Sequence, residues 1–307
     1  MKMLKIYIDG QAGTTGLVLE ERLLELGKSV EIDILKIAED LRRDVAERKK
    51  LLNLADVVFL CLPDAAAKES VVLIDNPKTV IIDASTAHRT DSEWVYGFPE
   101  LSGEQFEKVA NGNKIAVPGC HATGFIALAY PLIQAGLIKP TDQLYCHSLT
   151  GYSGGGKQMI ADYEEVGMPS AKSCAQPAPC AAMMYAMDLN HKHLPEMMAL
   201  TGLEKKPLFV PVVVPIHSGM IVQIPLAMDA KVVHEVLATY YKGSKTIQVM
   251  AFGEVNDLKI ENDIPSIGME IYVFGHETQA VIAARFDNLG KGSSGAAVQC
   301  MKVRFGL

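Results

Sequence analysis

The chain has 307 residues, room for two domains at the usual ~100–200 residues apiece. Its 49% hydrophobic and 21% charged residues are those of a core-forming protein, which excludes disorder as the main state. With 29 basic against 36 acidic residues the formal charge is −7, and the longest basic run is Arg48-Lys49-Lys50. Nothing is built to neutralise a phosphate backbone, and no nucleic-acid partner is expected.

The longest apolar stretches, such as residues 57–62, fall far short of the ~20 residues that span a membrane. The N-terminus runs directly into a strand pattern and not into a signal peptide, so a cytoplasmic protein without a membrane partner is expected. Six cysteines (61, 120, 146, 174, 180 and 300) form no Cys-x-x-Cys pair. They are expected as reduced thiols, each a small buried hydrophobe unless its surroundings activate it.

Residues 4–9 form a short apolar, β-branched run that ends in Gly10-Gln-Ala-Gly13-Thr14-Thr15-Gly16, and apolar residues then recur at helical spacing. Strand, glycine loop and helix are followed by strand patterns at residues 30–35, 57–62 and 80–83, separated by helical or turn segments. This alternation predicts an α/β, doubly wound, Rossmann-type parallel sheet. Near residues 111–120 the texture changes to Asn-Gly-Asn, Lys-Ile-Ala-Val and Pro-Gly-Cys, leading into a helix over 123–135. Beyond it come Ser/Gly turns, a Met- and Pro-rich middle over 168–198, and strand patterns at 209–214, 220–225, 271–274 and 280–284. These predict a mixed, largely antiparallel sheet in an α+β second domain. A final helix over 296–303 is placed back on the first domain. The expected division is 1–118 with 290–307 for the dinucleotide-binding domain and 119–289 for the catalytic and substrate-binding domain.

A strand, glycine loop and helix start present free backbone N–H groups where the helix dipole favours a pyrophosphate, and Gly10, Gly13 and Gly16 let the backbone come close. About 20 residues past the third glycine, where an acid usually meets the ribose hydroxyls, stands Lys36, with Arg42 and Arg43 nearby. That favours NADP over NAD. In Pro118-Gly-Cys-His-Ala-Thr-Gly124 the thiol of Cys120 sits at a helix start among small neighbours, where a thiolate is stabilised. Cys120 is the expected nucleophile for acyl transfer followed by hydride transfer. The other five cysteines are expected to be inert.

Six motifs occur together and in order: Gly10–Gly16, Asp83-Ala-Ser-Thr-Ala-His-Arg89, Pro118–Gly124, Gly151-Tyr-Ser-Gly-Gly-Gly-Lys157, Asn190-His-Lys-His-Leu-Pro-Glu-Met197 and Asp287-Asn-Leu-Gly-Lys-Gly-Ser-Ser-Gly295. The set resembles the short form of N-acetyl-gamma-glutamyl-phosphate reductase, of the arginine pathway, nearly end to end. The resemblance implies NADPH-dependent reduction of an acyl phosphate to an aldehyde, in a fold shared with aspartate-semialdehyde dehydrogenase. It implies an α+β catalytic and dimerisation domain, a homo-oligomer, and a small-molecule acyl-phosphate substrate. Aspartate-semialdehyde dehydrogenase itself is the alternative enzyme, and a non-catalytic NADP-binding regulator the alternative of another class.

A thiohemiacetal oxygen needs a proton donor, so a histidine is expected within reach of Cys120. Two candidates stand out, the His191-x-His193 pair and His217 in Pro215-Ile-His-Ser-Gly219. A His-x-His pair on a strand would turn both rings to one face, but no third or fourth ligand follows at metal-binding spacing, and no metal is expected. The resemblance matches His193 to the acid/base histidine and Glu196 to a polar residue of the same site, and it ranks His217 second. Both anionic groups of the substrate call for cations, and Arg89 matches the substrate-binding arginine of the family. Ser153 and Lys157 of the Gly151–Lys157 loop, with His191, are further substrate-binding candidates. Thr14, Thr15, Ser85 and Asn288 join the glycines and Lys36 as cofactor-binding candidates. His88 stands where an apolar or aromatic residue is expected, and His121 where a tyrosine is usual.

Overall fold

The computed structural model describes residues 3–165, 181–260 and 267–307; Cys174, Cys180 and part of the Met-rich stretch lie outside these. The chain divides into two compact units, Met1–Gly119 with Ser293–Leu307, and Cys120–Gly292.

In the first unit the order is β1 (Leu4–Asp9), α1 (Thr14–Leu26), β2 (Ile32–Leu35), α2 (Val45–Leu54), β3 (Val57–Leu60), α3 (Asp64–Val72), β4 (Val80–Asp83), β5 (Val95–Tyr96), α4 (Gly103–Asn111) and β6 (Lys114–Ala116). Among the described residues these strands make a six-stranded sheet in the order β2-β1-β3-β4-β6-β5. Every pair is parallel, with Ile6 opposite Val57 and Val58 opposite Ile81. Successive side chains of a strand point to opposite faces, so the unbroken apolar runs of β3 and β4 demand cover on both. Ile6, Ile8, Val57 and Phe59 join one core with Leu19 and Leu23, while Tyr7, Val58 and Leu60 join another with Leu51 and Leu52. The C-terminal helix, Gly295–Phe305, closes the first core with Ala296, Ala297, Cys300 and Met301. Strand β2 starts at Ile32, not at residue 30, because its pairing with β1 begins at Leu4 opposite Ile32.

The second unit holds α5 (Cys120–Gln134), β7 (Tyr145–Gly151), α6 (Gly156–Glu165), β8 (Met183–Met184), α7 (Leu194–Thr201), β9 (Leu208–Val214), β10 (Met220–Leu226), α8 (Ala230–Tyr240), β11 (Ile247–Val249), β12 (Met269–Gly275) and β13 (Ala280–Phe286). Its sheet runs β11-β12-β13-β10-β7-β9-β8; β7–β9 and β11–β12 are parallel and the other pairs antiparallel. Helix α5 is apolar almost all round, as a helix buried on several sides must be. It lies so close on the sheet that a Cβ at Gly124 would stand 2.5 Å from Val222 Cγ2. It begins at Cys120, three residues before the start expected from periodicity, and this puts the thiol on its first turn. Among the described residues no helix is long and apolar enough to cross a membrane.

Candidate active site

In the first unit Gly13 N–H donates to the Gly10 carbonyl at 2.9 Å, folding the loop back on itself ahead of α1. Gly10 has φ +91°, and a Cβ there would lie 2.3 Å from the Cys61 carbonyl oxygen; a Cβ at Gly16 would lie 2.5 Å from the Gly10 oxygen. Only glycine fits, and the close backbone leaves a cradle beside the start of α1, opened by Thr14 and Thr15 with no side-chain cap on its N–H groups. A cavity of about 410 Å³ adjoins it, lined by Gly10, Gly13, Arg42, Arg43 and Arg48 among others. Uncapped N–H groups, a glycine cradle and three guanidinium groups suit a phosphate-bearing dinucleotide. Lys36 is not part of that lining: its ammonium pairs with Glu20.

Arg48, which no local motif marks, is held by a buried carboxylate at the end of β1. Its Nη2 donates to Asp9 Oδ2 at 2.8 Å and to Ser70 Oγ at 2.7 Å, and Ser70 Oγ donates to Asp9 at 2.8 Å. The Asp9 bond raises the Arg48 pKa further. Burial, with Asp83 and Asp9 adding, pushes the Cys61 thiol up to about 12, so it stays protonated at neutral pH.

Ser85 turns inward, donating to Asp83 Oδ2 at 2.7 Å. His88 Nδ1 meets the same oxygen at 2.6 Å, and the ring stacks on Trp94 with centroids 4.1 Å apart. The histidine thus does the apolar stacking expected at its position and binds a carboxylate as well. Arg89 follows, its Nε donating to the Val117 carbonyl at 2.9 Å.

In the second unit Cys120 is half-buried on the first turn of α5, where the dipole favours its thiolate. Gly292 is packed on it: a Cβ at 292 would stand 2.7 Å from Cys120 Cβ. Beside it His121 is buried, with Nδ1 2.7 Å from Ser148 Oγ and Nε2 2.8 Å from the Tyr185 hydroxyl. Burial, then His191 and Lys192, hold the His121 pKa down to about 3, so the ring is neutral. Burial, and then a charge on Cys120, raise the Tyr185 phenol.

The rings of His191 and His193 stand 5.4 and 5.5 Å from that of His121 and 4.6 Å from each other. They lie on the turn into α7, where Pro195 is the second helical residue and His191 Nδ1 accepts the His193 N–H at 3.1 Å. Glu196 lies buried in the first turn of α7. His217 is exposed, and its ring meets Tyr152 edge-on at 5.5 Å. Ser153 is buried and accepts from Asn288 Nδ2 at 3.0 Å, whereas Lys157 is exposed on α6. Lys291, buried to 1% exposure, was marked in the sequence only by its place among the glycines of the Asp287–Gly295 motif. Among the described residues no group of three or more His, Cys, Asp or Glu side chains is placed to hold a metal.

The model of the semialdehyde dehydrogenase NAD binding domain matches residues 5–109, and that of the semialdehyde dehydrogenase dimerisation domain matches 120–288. The chain is 41% identical to N-acetyl-gamma-glutamyl-phosphate reductase 2 of Nostoc sp., covering 99% of this chain and 97% of that one. It is also 41% identical to N-acetyl-gamma-glutamyl-phosphate reductase of Chelativorans sp., covering 96% of each. The crystal structure of aspartate semialdehyde dehydrogenase II from Vibrio cholerae superposes with a TM-score of 0.71 at 16% identity over 98% of both chains, which is a likeness of fold. With both domain models matched and full-length relatives at this identity, the chain belongs to the semialdehyde dehydrogenase family, in its N-acetyl-gamma-glutamyl-phosphate reductase group.

Proposed function

We propose that this chain is an NADPH-dependent enzyme of arginine biosynthesis that reduces N-acetyl-gamma-glutamyl phosphate to N-acetylglutamate semialdehyde, releasing phosphate, through a thioester on Cys120. The observation that carries the reading is the half-buried thiol on the first turn of α5 beside the cluster of His121, His191 and His193. The named relatives supply the substrate.

An acyl phosphate is an activated carboxyl group. The thiolate forms the carbon–sulfur bond as the bond to phosphate oxygen breaks, and the helix start lowers the cost of having that thiolate ready. When bound, NADPH supplies the hydride that reduces the acyl carbon. The protein has to hold the oxygen on the sulfur-bound carbon as it becomes negative. The aldehyde is freed as the carbon–sulfur bond breaks and the Cys120 sulfur leaves. We assign to His193 the proton held by that oxygen before the break or given to the leaving sulfur, with Glu196 in the first turn of α7 as its polar neighbour in the site. Arg89, Ser153, Lys157 and His191 are assigned to the substrate's anionic groups. Gly10, Gly13, Thr14, Thr15, Gly16, Ser85 and Asn288 are assigned to the cofactor. For its adenosine phosphate, the cavity supports Arg42 and Arg43 above Lys36. The first unit serves as the dinucleotide-binding domain and the second as the catalytic one. The matched dimerisation domain supports a homo-oligomer, and cysteines 61, 120, 146 and 300, which form no disulfide among the described residues, support a reducing cytoplasmic setting.

The test is the reverse reaction, read as NADPH absorbance with N-acetylglutamate semialdehyde and inorganic phosphate, beside aspartate semialdehyde and beside Cys120→Ser. Turnover with the acetylated substrate alone, and only with the thiol present, is expected. Turnover with aspartate semialdehyde instead would assign the shorter substrate. Cofactor binding without turnover on either would leave a nucleotide-binding regulator.

A further inference from the structure

Asp9 ends β1 and is 4% exposed, Arg48 stands in the first turn of α2, and Ser70 of α3 is fully buried. The Arg48 guanidinium grips the Asp9 carboxylate along one edge, with Nε donating to Oδ1 at 3.3 Å and Nη2 to Oδ2 at 2.8 Å. The second hydrogen of Nη2 goes to Ser70 Oγ at 2.7 Å. For its own hydrogen the Ser70 hydroxyl has Asp9 Oδ2 at 2.8 Å and the Ala66 carbonyl at 2.9 Å. A guanidinium carries five N–H groups. Three are taken here, and among the described residues the two on Nη1 have no partner. The side chain lines the cavity of about 410 Å³ together with Asp9, the glycine loop, Arg42 and Arg43. The three arginines differ in how they are held. Arg42 and Arg43 are exposed, and Arg42 pairs with the exposed Glu39. Arg48 is fixed in advance by buried partners, so it has little rotamer freedom left to lose on meeting an anion. It also covers Asp9, whose bare carboxylate in the lining would repel a phosphate and suit ribose hydroxyls instead.

We propose that Arg48 is a specificity-determining residue for the cofactor: its Nη1 takes the adenosine phosphate that NADPH has and NADH lacks, while its other edge holds Asp9 and keeps that carboxylate from the phosphate. One cation thus serves two anions through different edges of the fork. Asp9 and Ser70 hold the fork in place. The pyrophosphate, common to both dinucleotides, has the glycine cradle and the uncapped N–H groups of α1 for itself. The inference rests on the reading of the first unit as an NADPH-binding domain.

The experiment is fluorescence titration of the full chain with NADPH and, separately, with NADH, without substrate, on the wild type, Arg48→Gln and the double variant Asp9→Asn/Arg48→Gln, each checked for folding by its Tm. Arg48→Gln removes the cation and bares the carboxylate, and is expected to weaken NADPH binding by about a hundred-fold while NADH binding stays nearly unchanged. The double variant carries neither charge. It should recover part of the lost NADPH affinity and still bind NADPH about ten-fold or more weaker than the wild type, again with NADH nearly unchanged. An arginine that only supports the fold would lower Tm and leave the NADPH to NADH ratio in place. The proposal is overturned if both dinucleotides weaken alike in the two variants, which would move the contact to the pyrophosphate or to the fold, or if NADPH binding stays at the wild-type value. A double variant that binds NADPH no better than Arg48→Gln would overturn the shielding of Asp9, and the proposal with it. Should Arg48→Gln fail to fold for want of a counter-charge to Asp9, the double variant decides alone, because an amide pair replaces the ion pair and the proposal still requires NADPH weakened and NADH kept. A wild type that binds neither dinucleotide would instead refute the cofactor reading on which the proposal rests.

Discussion

Asn288 Nδ2 donates to Ser153 Oγ at 3.0 Å while its Oδ1 accepts the Gly219 N–H at 2.8 Å, so one buried amide ties the turn after β7, the hairpin between β9 and β10, and the segment after β13. Asn288→Ala leaves a buried N–H and a buried hydroxyl without these partners. It should cost about 2–6 kcal/mol of stability, at ~1–3 kcal/mol for each of the two unsatisfied groups, read by urea unfolding. A loss well below this range would mean that the three segments hold their positions without the amide.

Gly292 bears on the thiol directly. Alanine there would put its Cβ 2.7 Å from Cys120 Cβ and 3.3 Å from Phe286 Cε2, and since Phe286 ends a central strand, Cys120 is the neighbour that must shift. A displacement of this size near a nucleophile costs on the order of ten- to a hundred-fold in rate. Gly292→Ala should therefore lower kcat by that factor while NADPH affinity, measured by fluorescence titration, stays at the wild-type value.

Cofactor choice is expected to follow the arginines that line the cavity. Arg42→Ala and Arg43→Ala should each weaken NADPH binding by about ten-fold or more, the worth of a charge-assisted hydrogen bond, and leave NADH binding nearly unchanged. Lys36→Ala should leave the NADPH to NADH ratio in place, because Lys36 is not among the residues that line the cavity. A ratio that collapses in Lys36→Ala alone would return the phosphate contact to the lysine.

The first unit was legible because its signals are local. An apolar run, a glycine turn and a helical period stand side by side between residues 4 and 26, and strand length followed from which residues find partners across the sheet. At Cys120 the Pro-Gly entry marks the helix start locally, whereas the apolar period alone places it three residues later. The surroundings of the thiol were not legible, because Ser148 and Tyr185 reach His121 from 27 and 64 residues away and no spacing rule joins them. The task of Arg48 is set in the same way by a distant partner, Asp9, 39 residues earlier. His191 and His193 stand close because they share the turn into α7, which begins at Leu194 with Pro195 in its first turn, and not because of any strand alternation.

The buried His121 also makes stability depend on pH. In the unfolded chain a histidine takes up its proton near pH ~6.5, whereas in the fold burial and the neighbouring His191 and Lys192 hold the pKa down to about 3. Between these values the unfolded state binds one proton more than the folded state. Stability is therefore complete above about pH 6.5 and falls as pH drops through this window, by up to ~1.4 kcal/mol per pH unit. His121→Gln has no proton to gain in either state, and its neighbours His191, His193 and Lys192 are those of the wild type, so the difference between the two proteins isolates this one ring. From pH 7 to pH 5 the wild type should lose about 2 kcal/mol more than His121→Gln by urea unfolding. An equal loss in both would mean that the ring accepts a proton within the fold and donates from both nitrogens there.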